Sequence, residues 1–144
     1  MDKPILQLDN ILVNLPCMKK NQAIKTAADL LVKQGYVTDY YYDLMLKRER
    51  ECETYIGNGI AIPHGIKGSE TQIKSSGIVV LQFKDGIDYD GNKAYLVIGI
   101  AGKDNEHIEI LSKIACIVQY KENVNKIVRC NTKKEVYDLL VDMN

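Results

Sequence analysis

His64 has the sequence surroundings best suited to group-transfer chemistry. It follows a short apolar run, residues 60–62, that is typical of a β-strand. Pro63 has no backbone N–H to give to a neighbouring strand, so the pairing is expected to end there. Gly65 leaves the backbone beside the histidine uncrowded and free in conformation. Because ligands and reacting groups collect at strand ends in α/β sheets, we expect His64 to be exposed at such an end.

His107 is the only other histidine, and it falls in the first turn of a predicted helix that is capped by Asp104 or Asn105. The free N–H groups and the positive dipole end of a first turn favour an anion. The same field disfavours a protonated imidazole. The position therefore predicts a ring that stays close to neutral beside a place where an anion can bind.

Arg48 is predicted to lie on the inner face of a second helix. That helix is expected to begin at Thr38, a good N-cap residue, and to run to about Arg50. At helical spacing Arg48 shares one face with Tyr41, Leu44 and Met45. Its guanidinium could line a site, or it could lie along the edge of the core with its head in water.

These three side chains point to chemistry only as a set. Taken singly, His64 could be a turn residue bonded to a carbonyl, and His107 a helix residue satisfied by its neighbours. Together with Arg48 they supply a nitrogen nucleophile and fixed donors around an anion. Those are the groups that a phosphoryl group requires, so the sequence favours a phosphoryl-handling site.

Other classes of site lack their signatures. There is no GxxxxGK[ST] loop, GxGxxG fingerprint or GxSxG elbow. Residues 106–109 hold one histidine where a zinc-protease helix needs two, and a two-histidine metal site would need carboxylates from unknown positions. A formal net charge of +0, from 19 basic and 19 acidic residues, gives no basic surplus for nucleic acid.

The cysteines give no sign of a metal site or a nucleophile. They are widely spaced, and the cytoplasmic location that we expect favours free thiols. Apolar neighbours predict that one of them fills the core. The four are Cys17, Cys52, Cys116 and Cys130, and Cys116 is the predicted core residue. No apolar run is long enough to span a bilayer and no secretory signal is visible, so we expect a soluble, cytoplasmic protein.

The remaining pattern predicts one α/β domain over residues 1–144, with a mixed central sheet flanked by helices. Nearly continuous apolar runs at residues 77–83 and 94–101 predict strands covered on both faces, with turn chemistry at residues 84–86 and 90–92. Residues 11–13 predict an edge strand. One predicted helix begins at Lys19 and stops at Gly35, and another covers residues 122–128. The helix that contains His107 has a predicted buried stripe of Ile108, Leu111, Ile114, Ala115 and Val118. The last helix follows a capping box at Thr132, and its predicted buried residues are Val136, Leu139, Leu140 and Met143.

Residues 53–65, which read ETYIGNGIAIPHG, resemble the phosphorylation-site signature of enzyme IIA of the mannitol/fructose class in bacterial sugar phosphotransferase systems (PTS). Residues 99–103 with 106–115 resemble the second motif of that family. Residues 44–49 resemble the helix end that supplies its active-site arginine. The resemblance runs in order over essentially the whole chain, and it implies the family's α/β fold.

The resemblance also implies a mechanism. His64 matches the histidine that attacks phospho-HPr through Nε2 and holds the phosphoryl group. His107 matches the histidine that orients or stabilises that group, and Arg48 matches the arginine that stabilises its charge. The group then passes to a cysteine of enzyme IIB and on to incoming sugar. Such transfer depends on positioning and charge, so no metal or cofactor is expected.

Two departures and one branch preference accompany the resemblance. Ile66 occupies a place where some relatives carry threonine, which removes a possible hydroxyl donor, and Asn58 stands where some carry glutamate. Residues 63–65, 85–89 and 91–95 look more like the mannitol branch than the fructose or nitrogen-regulatory branches. The leading hypothesis is a phosphocarrier for mannitol uptake, with HPr and enzyme IIB or IICB supplied in trans. The alternative is a free-standing regulatory enzyme IIA that controls a transcription factor or kinase.

Overall fold

The computed structural model describes residues 3–144, so Met1 and Asp2 of the predicted 1–144 domain lie outside the described residues. Along the chain, one strand is followed by two helices, then by four strands and then by three helices. Short 3-10 turns lie at Leu8–Asn10, Ser69–Gln72 and Val141–Met143. The strands and helices are β1 (Ile11–Leu12), α1 (Lys20–Lys33), α2 (Tyr41–Glu51), β2 (Tyr55–Gly57), β3 (Ile60–Ala61), β4 (Gly77–Tyr89), β5 (Asn92–Ala101), α3 (Glu106–Val118), α4 (Lys121–Arg129) and α5 (Lys133–Leu139).

The strands form one mixed sheet in the order β1-β4-β5-β3-β2. β1 runs parallel to β4, and β3 runs parallel to β5, while β4–β5 and β2–β3 are antiparallel pairs. The mixed sheet and the edge position of β1 confirm the predictions. Within the described residues, no helix is both long and apolar enough to cross a membrane.

Helices cover both faces of the sheet, as the continuous apolar runs of the central strands predict. Side chains alternate along a strand, so Val79 and Leu81 join the core under α1 and α2, whereas Ile78 and Val80 join the core under α3, α4 and α5. This division places the end of α2 and the start of α3 on opposite sides of the same sheet.

The central hairpin differs from the prediction at residues 84–86. These residues are part of β4, which continues to Tyr89, and the register of the pair shifts between Gln82 and Ile87. Gly86 has φ 75° and lies in a bulge of β4, not in the turn that the sequence predicts. The turn lies at Asp90 and Gly91, whose φ values of 54° and 90° suit a two-residue hairpin.

Two further differences concern residues before His64. α2 begins at Tyr41, so Tyr40 and not Thr38 is its N-cap residue, and the Thr38 hydroxyl donates to the side chain of Gln72. β2 was not predicted; it pairs with β3 through a turn at Asn58 and Gly59, whose φ values are 52° and 80°. β3 therefore has neighbours on both sides, which fixes the strand that leads to the histidine.

The predicted buried stripe of α3 is partly wrong. Ile110, Ile114 and Val118 face the core, but Ile108 is 64% exposed and Ala115 is also exposed. The side chains that face the core recur every four residues from Ile110, and Ile108 and Ala115 lie about a third of a turn away from that face. Leu139 and Cys116 are likewise exposed, while Cys130 is the buried cysteine; all four cysteines are free thiols. The extents of α1 and α4 and the Thr132 cap of α5 confirm their predictions.

A buried carboxylate fixes the link from α2 into β2. The side chain of Glu49 accepts hydrogen bonds from the Thr54 N–H at 2.9 Å, the Thr54 hydroxyl at 2.7 Å and the Tyr89 hydroxyl at 3.2 Å. Lys20 Nζ lies 3.0 Å from the same carboxylate and also pairs with Asp90. Since Glu49 follows Arg48 directly, this network holds the backbone of the helix end that carries the arginine.

Replacement of Glu49 by glutamine tests this network. The amide keeps the shape but turns an NH₂ group toward donors and leaves Lys20 without its buried partner. We expect the free energy of unfolding to fall by about 1–3 kcal/mol, measured by urea unfolding. Glu51→Gln, an exposed change on the same helix, is the matched control. Equal unfolding midpoints for the two variants would contradict the assignment.

Candidate functional site

The three predicted side chains line one cavity of about 330 Å³ at the ends of β3 and β5. His64, His107 and Arg48 come from three different elements, separated by up to 59 positions in the chain. The other lining residues are Tyr41, Glu51, Gly65, Ile66, Lys67, Ser69, Glu70, Ile73, Gly102 and Asp104.

The sheet brings the two histidines together. β3 and β5 are parallel neighbours, so their carboxyl ends meet at one edge, and the Pro63 carbonyl accepts from the Ile100 N–H at 3.0 Å. His64 forms the last bridge of that ladder, opposite Ile100. The chain then passes Gly102, where an added Cβ would lie 2.5 Å from the Cα of His107. The missing side chain thus lets the first turn of α3 approach the end of β5 closely.

The orientation of the His64 ring decides its chemistry. Nδ1 lies 2.8 Å from the carbonyl oxygen of Ile62. A carbonyl only accepts, so a neutral ring places its proton on Nδ1 and leaves the lone pair on Nε2. Ile62 and His64 are two residues apart in the chain, and the rigid Pro63 between them restricts how the ring and the carbonyl can move relative to each other. Nε2 is therefore the ring nitrogen with a free lone pair.

Unlike Nδ1 of His64, Nε2 of His107 has no hydrogen bond that orients its ring within the described residues. Its ring centroid lies 5.0 Å from that of His64, with the planes tilted by 48°. Nε2 of His107 is buried and has no hydrogen-bond partner among residues 3–144. A buried polar atom without a partner is costly, so this nitrogen at the cavity is suited to bind an anion or water. His107 is the second residue of α3, as its predicted first-turn position requires.

Arg48 faces the cavity from the end of α2. The side chain is half-buried, and Nη1 donates to the Cys52 carbonyl at 2.7 Å, which also satisfies the end of its own helix. Among residues 3–144, no carboxylate lies within ion-pair distance of it. Four of the five guanidinium N–H donors remain for an anion. Arg48 and Tyr41, which the sequence analysis placed on one face of this helix, both line the cavity.

The cavity favours neutral histidines. Burial is the main cause that lowers the pKa of His64 below its ordinary value; nearby His107 and Arg48 lower it further, and the Ile62 carbonyl opposes them. Burial also lowers the pKa of His107, with Arg48 acting in the same direction and Glu70 against it. Both rings are therefore mostly unprotonated at pH 7, which is the state in which His64 can attack.

Sequence reasoning missed part of the lining. Lys67, Ser69 and Glu70 follow His64 within six residues and bring two charges and a hydroxyl to the cavity. Ser69 donates its hydroxyl to the Ile66 carbonyl, so a hydroxyl is present here although Ile66 itself lacks one. The signal that could have found these residues is their nearness in the chain to a histidine at a strand end. Among residues 3–144, no cluster of three or more metal-binding side chains occurs.

Comparison with known proteins gives one consistent result. Residues 4–143 match the family described as phosphoenolpyruvate-dependent sugar phosphotransferase system, EIIA 2. The mannitol-specific phosphotransferase enzyme IIA component of Geobacillus stearothermophilus is 46% identical over 145 residues, which cover 100% of both chains. The crystal structure of IIA mannitol from Escherichia coli has a TM-score of 0.87 at 33% identity, covering 94% of this chain and 98% of that one. A complex of enzyme IIA with phosphorylated enzyme IIB of the E. coli mannitol system gives 0.87 at 32% identity, over 95% and 97% of the two chains.

The two histidines should titrate below pH 6.5, their ordinary value. Because the pKa of each is lowered by folding, the stability that the neutral rings contribute is present above about pH 6.5 and is lost as the pH falls below it. NMR titration of the imidazole signals measures both midpoints. His107→Gln should raise the midpoint of His64, since it removes a nearby like charge. A midpoint above 6.5 for either wild-type histidine would contradict this electrostatic description.

Proposed function

Because the chain belongs to the EIIA 2 family of the phosphoenolpyruvate-dependent sugar phosphotransferase system, we propose that it is a cytoplasmic phosphocarrier of one domain, residues 1–144, that transfers a phosphoryl group through His64. Phospho-HPr is the donor, and enzyme IIB of a mannitol-type permease is the acceptor. The observation that carries the proposal is the hydrogen bond between Nδ1 of His64 and the Ile62 carbonyl, because it leaves Nε2 as the nucleophile in the cavity.

The first transfer exchanges one N–P bond for another. Nε2 of neutral His64 attacks the phosphorus of phospho-HPr, the bond from phosphorus to the HPr histidine breaks, and that histidine keeps the electron pair. Nδ1 of His64 keeps its proton, and the bond to the Ile62 carbonyl stabilises the positive charge that develops on the ring. In the second transfer a cysteine sulfur of enzyme IIB attacks, and His64 is the leaving group.

His107 and Arg48 stabilise the phosphoryl oxygens in this proposal. The unpartnered Nε2 of His107 donates to one oxygen when it carries the proton, and its place in the first turn of α3 adds the positive end of the helix dipole. Arg48 adds a permanent charge with its remaining N–H groups. Positioned donors of this kind act on the charge of the transition state.

The names of the relatives support mannitol as the sugar. The G. stearothermophilus relative is a mannitol-specific component that this chain covers fully, and the E. coli structure shows its enzyme IIA together with a phosphorylated enzyme IIB. A similar surface on this chain would bring the cavity to an enzyme IIB cysteine. Sugar uptake is therefore the proposed role.

Phosphorylation by purified components tests the site. Wild-type protein incubated with phosphoenolpyruvate, enzyme I and HPr should gain the mass of one acid-labile phosphoryl group, and His64→Ala should gain none. His107→Ala and Arg48→Ala should reach the same final mass about 10²–10³-fold more slowly, because each removes one donor to the charged group. Intact mass spectrometry over time measures both quantities. Unchanged labelling of His64→Ala would contradict the proposal.

Acceptance by enzyme IIB tests the role in uptake. The phosphorylated protein, separated from HPr, should lose its group to a mannitol enzyme IIB domain, as measured by the mass of both proteins. An enzyme IIB variant without its cysteine is the control and should receive nothing. If no sugar-specific enzyme IIB accepts the group while HPr still donates it, the regulatory alternative replaces the uptake role.

A further inference from the structure

Tyr41 makes two hydrogen bonds that meet behind His64. Its hydroxyl donates to the Ile100 carbonyl at 2.7 Å and accepts from the Gly65 N–H at 2.9 Å. The side chain is 1% exposed and its ring contributes to the wall of the cavity. One phenol oxygen therefore joins α2, the end of β5 and the residue that follows the histidine.

The two hydrogen bonds of Tyr41 hold the chain just beyond the last strand pairing of β3 with β5. β3 ends at Ala61, and the ladder to β5 ends with the bridge between His64 and Ile100. Beyond that bridge the Gly65 N–H has the Tyr41 hydroxyl as its partner. Because residue 65 is glycine, the segment can lie this close to α2: an added Cβ would be 2.7 Å from the Tyr41 ring and 2.7 Å from the Ser69 hydroxyl.

The hydroxyl is suited to this task because it donates and accepts at once. Burial raises the pKa of Tyr41, which keeps the proton on the oxygen and the bond to the Ile100 carbonyl intact. A phenylalanine ring would fill the same space and leave two backbone groups without this partner, the half-buried Gly65 N–H and one acceptor site of the buried Ile100 carbonyl.

We propose that Tyr41 is a positioning residue for phosphoryl transfer, whose hydroxyl fixes the direction of His64 by tying the Gly65 amide to the Ile100 carbonyl. The inference rests on the proposed function, since it concerns the same histidine. Tyr41 acts through the backbone and does not touch the phosphoryl group. Loss of its hydroxyl should lower the rate of transfer more than the affinity for phospho-HPr.

Tyr36→Phe is a matched control for Tyr41→Phe. Tyr36 is also fully buried, and its hydroxyl makes three hydrogen bonds, with Pro4, Gln7 and Asn10 of the N-terminal segment. Both variants remove one buried hydroxyl and leave backbone or amide groups unpaired, so each should lower the midpoint of urea unfolding. Only Tyr41→Phe removes a bond to the segment that carries His64.

The experiment compares transfer from phospho-HPr to wild type, Tyr41→Phe and Tyr36→Phe. Tyr41→Phe should show a maximal rate about 10- to 100-fold lower, with KM for phospho-HPr changed less than twofold and the same final stoichiometry. Its His64 imidazole ¹⁵N shifts should also move. Tyr36→Phe should keep the wild-type rate and shifts. In Gly65→Ala the added methyl group would lie 2.7 Å from both the Tyr41 ring and the Ser69 hydroxyl, so the segment must shift and transfer should also slow.

Equal maximal rates for the two phenylalanine variants, or rates that fall together with stability, would overturn the inference while the phosphocarrier function stands. If Tyr41→Phe does not fold, a wild-type transfer rate for folded Gly65→Ala would likewise overturn the inference. A wild-type protein that takes no phosphoryl group from phospho-HPr would overturn the proposed function, and this inference with it.

Discussion

The hydrogen bond from Nδ1 of His64 to the carbonyl of Ile62 determines what the site can do, because it decides which nitrogen carries the proton. Pro63 lies between the two partners and limits how far they can separate. With Nδ1 occupied, Nε2 is the only lone pair that the ring presents. Burial then keeps the ring neutral. In the proposed function, this short local contact selects the nucleophilic nitrogen and orients the ring, and the other elements act on that fixed ring.

The remaining groups reach the ring through the topology of the sheet. The parallel pairing of β3 with β5 brings the end of one strand beside the start of α3, which follows the other. Gly102 allows the close approach of His107, and the Glu49 network holds the helix end of Arg48. Positive charge and a free donor are therefore in place before an anion arrives, which lowers the reorganisation that transfer requires.

Much of this arrangement could be predicted, and the misses have physical reasons. A strand-ending proline and a helical face are local signals, and they single out His64 and Arg48, which both line the cavity. The family resemblance is confirmed by the comparisons. Ile108 was expected inside, but hydrophobicity alone does not show which face of α3 meets the sheet. Gly86 was read as a turn because a bulge uses the same residue type. The role of Tyr41 depends on contacts between residues 24 and 59 positions apart, which no local pattern contains.

The most direct test of the account is to identify the atom of His64 that becomes phosphorylated. Long-range ¹H–¹⁵N NMR of protein labelled at its histidines, together with ³¹P–¹⁵N coupling, resolves the two ring nitrogens of the phosphorylated chain. The hydrogen bond to Ile62 predicts phosphorus on Nε2, with the proton retained on Nδ1. Phosphorus on Nδ1, or on a residue other than His64, would contradict it.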